Sequence, residues 1–165
     1  YRTDDGGETW VPASEGLFAP HGEPAEETRA VVVASIAFAP SDPDVVFAAL
    51  NQVGRDRSLR GIWRSADGGS TWESRVRDED PVGETPARLT GGTRVFVSPT
   101  DPDWTFFAFG MAYDGYGLDL FRSRDGLRTL EVSHFADFYE VFAMAFAPPG
   151  TGAVFVGASS DVASD

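Results

Sequence analysis

Apolar residues recur at every second position in short runs along this chain, and Gly, Pro, Asp and Ser clusters separate the runs, which is the pattern of many short β-strands. Ser35 to Ala39 alternates in this way, and Asp42 to Asp44 is read as a turn around Pro43. Val45 to Leu50 is a continuous apolar run that predicts a buried strand, followed by a third strand at Gly61 to Ser65 and a fourth at Thr71 to Val76. The same order returns downstream, with strands predicted at Thr93 to Val97, Thr105 to Phe109, Asp119 to Ser123 and Thr129 to Val132.

The recurrence extends to the residues themselves. Tyr1 to Trp10 (YRTDDGGETW), Trp63 to Trp72 (WRSADGGSTW) and Phe121 to Leu130 (FRSRDGLRTL) each read aromatic, Arg, Ser/Thr, any residue, Asp, Gly. Their aspartates, Asp5, Asp67 and Asp125, repeat with a period of about sixty residues. A second element recurs between them: Ala37 to Phe47 (AFAPSDPDVVF), Phe96 to Phe106 (FVSPTDPDWTF) and the degenerate Ala145 to Phe155 (AFAPPGTGAVF). Two motifs repeating in one order define a structural unit of four strands, and the sequence predicts an all-β chain of four-stranded antiparallel blades stacked radially as in a β-propeller.

Each Asp motif reads as a hairpin turn between the third and fourth strands. Gly68 and Gly69 supply the positive φ values that a tight turn demands. The Asp67 carboxylate is placed to accept backbone N–H groups across the turn, the Ser65 and Thr71 hydroxyls to join it, and Trp72 to pack inward as the fourth strand begins. The third copy has Leu127 and Leu130 where Gly and Trp stand in the others, which predicts a looser turn.

Ser/Thr-x-Asp-x-Gly-x-Thr-Trp is similar to the signature of the Asp-box, or BNR-repeat, β-propellers. Thr3, Asp5, Gly7, Thr9 and Trp10 match it, as do Ser65, Asp67, Gly69, Thr71 and Trp72, while the third copy keeps Ser123, Asp125 and Thr129. The Pro-x-Asp-Pro-Asp element resembles the branch that includes sortilin-type receptors, xyloglucanases and the photosystem II assembly factor. The resemblance implies that the boxes are structural and that ligands bind elsewhere, in a secreted or cell-envelope protein. On this reading residues 1–12 are the end of a blade, 35–76 and 93–132 are complete blades, and 141–158 is the first half of another. About three blade equivalents are fewer than the roughly four to eight that close a propeller, so the sequence predicts an open arc within a longer protein, prone to aggregate alone.

Charge and composition narrow the function. The net charge of −13 has no basic run to offset it, which argues against phosphate-backbone recognition and leaves nucleic acid off the list of partners. There is no cysteine, hence no disulfide, thiolate metal site or cysteine nucleophile in these residues, and no apolar run long enough to span a membrane as a helix. Asp78, Glu79, Asp80 and Glu84 lack the spaced ligands and central glycine of a calcium loop, so neither metal nor cofactor is expected.

Since successive turns alternate between the two ends of a blade, the Asp turns and the Pro-Asp loops share one end. The opposite end takes 51–60, 111–118 and the connections 13–30, 77–92 and 133–140, and any ligand site is expected there. Within Met111 to Gly117, Tyr113 and Tyr116 offer stacking faces for sugar or peptide, and Asp114 an acceptor for hydroxyls or an acid/base; the plainer alternative is a polar turn. Arg55 and Arg57 could grip a carboxylate, or form solvated ion pairs with their neighbours. His134 and Asp137 have base-and-orienter spacing among aromatic residues that suit packing equally. Two functions follow: a non-catalytic scaffold recognising protein or carbohydrate, or a glycoside hydrolase. The hydrolase reading has Asp114 as its candidate here and finds no Arg-Ile-Pro segment of the sialidase kind.

Overall fold

The computed structural model describes residues 1–17, 31–52, 60–77, 81–82, 85–86, 93–108, 120–133, 138–148 and 150–160. Among them the secondary structure is all strand: β1 (Val31–Ala39), β2 (Asp42–Gln52), β3 (Gly61–Ser65), β4 (Glu73–Arg77), β5 (Pro81–Val82), β6 (Thr85–Pro86), β7 (Arg94–Val97), β8 (Thr105–Ala108), β9 (Leu120–Ser123), β10 (Glu131–Ser133), β11 (Phe138–Phe146) and β12 (Val154–Ser160). β1 to β4 form one antiparallel sheet in sequential order and β7 to β10 a second, while β11 pairs with β12 and β5 with β6. These are four-stranded sheets of propeller-blade type, in a stack that does not close.

The apolar runs of β2 and β8 lack polar alternation because both faces of these two strands are covered. Val45, Phe47 and Ala49 of β2, with Ile62 and Val76, face the second sheet and meet Val95, Val97, Phe107, Phe121 and Leu127. The intervening Ala48 and Leu50 point the other way and pack with Trp63, Leu17 and Trp72. In β8 the division repeats, for Phe107 lies in the first core while Phe106 and Ala108 pack with Leu120 and Val141 and against Met144, Phe146 and Val156 of β11 and β12. The order of layers is therefore the N-terminal segment, the first sheet, the second sheet and the β11–β12 pair.

Several strand limits differ from the pattern-based reading. The first reversal opens at Pro40 and Ser41, where Ala39 pairs with Asp42, and the chain bends as predicted at Asp42 to Asp44, where the Asp42 carboxylate takes the Asp44 N–H at 3.1 Å and the register shifts before Phe38 meets Val46. In the second unit the equivalent residues turn with the same bond, Asp101 accepting the Asp103 N–H on its side chain at 3.0 Å, and the Asp101 carbonyl also takes the Trp104 N–H at 3.2 Å. β4 and β10 start two residues later than predicted, since Thr71 and Thr129 are held by the preceding Asp turns. The short β5–β6 pair lies in the predicted connection 77–92, and β11 begins at Phe138, inside the predicted connection 133–140.

Candidate functional site

The three Ser/Thr-x-Asp turns are built alike. In the second, the Ser65 hydroxyl donates to the Asp67 carboxylate at 2.7 Å while accepting the N–H groups of Asp67 at 3.2 Å and Gly69 at 2.8 Å. The carboxylate also takes the Thr71 N–H at 2.8 Å and the Thr71 hydroxyl at 2.5 Å. Thr3, Asp5, Gly7 and Thr9 repeat these bonds in the first turn. The tryptophans differ: Trp72 Nε1 donates to the carbonyls of Gly69 at 3.0 Å and Ala13 at 3.1 Å, whereas Trp10 is exposed.

The third turn is not loose. Ser123, Asp125 and Thr129 make the same set of bonds, with the Leu127 N–H on the Ser123 hydroxyl at 2.9 Å. Leu127 has a φ of 67°, the left-handed conformation that Gly69 adopts at 88° in the second turn. That conformation costs a side-chain-bearing residue roughly 1–2 kcal/mol. Burial of the Leu127 side chain among Phe107, Phe121 and their neighbours offsets it, a contact glycine cannot make.

These turns lie at one end of the stack together with the β1–β2 and β7–β8 reversals, since Gly68 N–H donates to the Asp44 carbonyl at 2.9 Å and Gly126 N–H to that of Asp103 at 3.0 Å. Sequence reasoning missed a link between successive turns. The Arg2 guanidinium donates to the Gly68 carbonyl at 3.1 Å, and Arg64, one repeat on, pairs with Asp103 at 3.5 Å beside Gly126. The signal was present: arginine follows the aromatic residue in every copy. Arg124, stacked over the Trp104 ring at 4.1 Å, was also missed.

Electrostatically the turn carboxylates are poor proton donors. The Thr71 hydroxyl, then the Thr71 N–H and the Ser65 hydroxyl, lower the pKa of Asp67 from 3.8 to about 2. At Asp125 partial burial pushes upward, but the N–H and hydroxyl of Thr129 and the Ser123 hydroxyl outweigh it and bring the value to about 2. The Thr9 hydroxyl and N–H and the Thr3 hydroxyl pull Asp5 well below the ordinary carboxylate range. All three are ionised hydrogen-bond acceptors at neutral pH.

Two outcomes follow. Ser65 is buried, so Ser65→Ala strands the Gly69 N–H and is expected to cost about 1–3 kcal/mol in denaturant unfolding. Because the folded-state pKa values are depressed, the carboxylates' contribution is complete above about pH 4 and is lost as pH falls toward 2. Melting temperature should therefore drop over that window, and Asp67→Asn should flatten the slope; an unchanged slope would show that the turn bonds do not survive in solution.

The ligand candidates Tyr113, Asp114, Tyr116, Arg55 and Arg57 lie outside the described residues, as do His134, Asp137, Asp78, Glu79, Asp80 and Glu84. Among the described residues no cluster of three or more His, Asp or Glu side chains is arranged to hold a metal ion, and no helix is long and apolar enough to cross a membrane.

Over 115 residues the chain is 34% identical to the dispase autolysis-inducing protein of Streptomyces mobaraensis, a match covering 69% of this chain and 28% of that protein. Over 103 residues it is 32% identical to the xyloglucanase Xgh74A of Acetivibrio thermocellus, covering 61% of this chain and 11% of the enzyme. The chain thus spans about a quarter and about a tenth of these curated relatives. No family model matches it.

Proposed function

We propose that this chain belongs to an Asp-box β-propeller whose role is recognition, a scaffold that binds a glycan or protein ligand at the end of the sheets opposite the Asp turns. The observation that carries this reading is the condition of the three turn carboxylates. Each is engaged by hydroxyl and N–H donors of its own turn and held ionised, so the turn end serves to hold the sheets and the loops at the other end are left for ligands. The candidates there are Tyr113 and Tyr116 as stacking platforms, Asp114 as an acceptor for hydroxyls, and Arg55 and Arg57 for an acidic group.

Titration calorimetry with xyloglucan oligosaccharides, beside a glycan array, tests the glycan arm. Tyr113→Ala with Tyr116→Ala is expected to weaken binding about tenfold or more, given roughly 0.5–1.5 kcal/mol for each aromatic contact. Ser65→Ala should leave affinity unchanged in the folded fraction. Loss of affinity in that variant alone would locate the ligand at the turn end and overturn the reading.

The segmental identity to a xyloglucanase favours a second reading, glycoside hydrolysis. It is distinguished by release of reducing ends from xyloglucan: turnover that disappears in Asp114→Ala would replace the scaffold by an enzyme.

A further inference from the structure

The three Asp turns share one framework and differ at two positions that stand outside it. In the first turn these are Asp4 and Glu8, in the second Ala66 and Ser70, and in the third Arg124 and Arg128, all of them exposed. The same turn bonds close around each pair, so the framework does not require the arginines. Even the bond from the Arg128 guanidinium to the Asp125 carbonyl, at 3.0 Å, has a counterpart from the Ser70 hydroxyl to the Asp67 carbonyl at 3.1 Å. The exposure does not depend on a neighbouring layer either. The first sheet has the N-terminal segment on one side and the second sheet on the other, and Ala66 and Ser70 of its turn are exposed all the same.

A second change accompanies the arginines. Trp104 stands where the first unit has Val45, and Arg124 where it has Ala66. The Arg124 guanidinium lies over the Trp104 ring at 4.1 Å, and the ring is fixed in turn by Phe146, edge-on at 5.5 Å, and by Phe106 at 5.8 Å. Arg128 is tethered through its Nη1 to the turn. Both cations are thus held in place, yet among the described residues neither pairs with a carboxylate. Asp125, between them, is already occupied by the Ser123 hydroxyl, the Arg128 N–H, and the N–H and hydroxyl of Thr129.

The chemistry of the pair selects its ligand. An ordered guanidinium takes the two oxygens of a carboxylate side by side, and its charge needs no further group to sustain it. In a chain of net charge −13, two such arginines on one turn invert the local sign. An acidic polysaccharide also carries carboxylates, but a sugar ring is gripped by an open aromatic face, and that of Trp104 lies under the guanidinium. Peptide carboxylates need no such face.

We propose that the third Asp turn is a docking point for an acidic peptide segment of a partner protein, with Arg124 and Arg128 each pairing with a carboxylate. The site lies at the turn end, away from the loops assigned above to the ligand, and the inference does not depend on that assignment.

Fluorescence anisotropy of a labelled oligoglutamate peptide on the full chain tests it, at physiological ionic strength, where exposed charges more than roughly 8 Å apart are largely screened. The chain is expected to bind the peptide, and Arg124→Ala with Arg128→Ala to weaken binding about tenfold or more. Ala66→Asp with Ser70→Glu changes the net charge by the same amount on the second turn and should leave the affinity within about twofold. Should the alanine pair fail to fold, Arg124→Asp with Arg128→Glu gives the third turn the residues that the framework already holds in the first, and it should abolish binding. Tyr113→Ala with Tyr116→Ala should leave peptide binding unchanged, which separates this site from the loop end. A parent chain that does not bind the peptide, an equal loss in the second-turn or the tyrosine variant, or an oligogalacturonate that binds as tightly as the peptide would each overturn the proposal.

Discussion

Phe107→Ala is expected to destabilise the chain by about 3–5 kcal/mol, which for a protein of this length lowers the melting temperature by on the order of ten degrees. The ring is fully buried and lies parallel to Phe121, with centroids 4.9 Å apart and planes inclined by 10°. It stands where the first sheet meets the second, among Phe47, Ile62 and Val76 from one side and Val95 and Leu127 from its own. Its loss leaves a cavity between two layers that share no strand, so the surrounding residues can collapse only by moving one sheet against the other. Glu131→Ala provides the contrast: it removes the exposed pair with Arg122 and should cost less than about 1 kcal/mol. Thermal and denaturant unfolding of the two variants side by side measures the difference. Comparable losses would mean that the interface between the sheets does not hold the fold.

Leu127 is expected to show the second largest effect and an inverted order of substitutions. Leu127→Ala keeps the left-handed backbone and loses the buried side chain, at a cost of about 2–5 kcal/mol. Leu127→Gly loses the same packing but relieves roughly 1–2 kcal/mol of backbone strain, against roughly 0.4–1 kcal/mol from the greater freedom of the unfolded chain. The glycine variant should therefore be the more stable of the two by up to about 1.6 kcal/mol, and the parent more stable than either. Denaturant melts of all three decide it; an alanine variant equal to or better than glycine would show that the backbone there is not left-handed.

Much of the fold was legible because the signals were local. Gly61 to Ser65 coincides with β3, the run at Val45 to Leu50 declared a buried strand, as it is, and the strand read at Thr105 to Phe109 is found at Thr105–Ala108, Phe109 lying outside the described residues. The Asp turn could be constructed bond by bond from Ser65, Asp67, Gly69 and Thr71, since every partner lies within a few residues. Strand limits were harder to place. Thr71 and Thr129 suit the start of a strand by composition, but their hydroxyls and N–H groups are engaged by the preceding carboxylate, which delays the ladder. Pro43 is the centre of a bend, as read, but cross-strand pairing of Ala39 with Asp42 opens the reversal earlier, at Pro40 and Ser41.

The candidate ligand residues were legible only as residue types. Tyr113, Asp114 and Tyr116 sit between glycines, and nothing in their spacing sets their distance from a second carboxylate or an arginine; that depends on loops far apart in the chain. For the turn carboxylates the bonds to Thr71 and Ser65 were legible, since those partners lie within four residues of Asp67.

By itself, the sequence determined the class of the protein: a repeat of about sixty residues, four short strands in each unit, and an Asp turn whose hydrogen bonds close within one decapeptide. Such features depend on neighbours along the chain, where the pattern of side chains leaves little choice. Only the tertiary structure decided how Leu127 stands in for glycine, where Arg2 and Arg64 reach, and which apolar faces find cover. Each of these turns on contacts between units some sixty residues apart, set by the packing of one sheet on the next. A motif of ten residues cannot specify them: Leu127 reads as a defect in the turn until the neighbouring sheet supplies the core that its side chain fills.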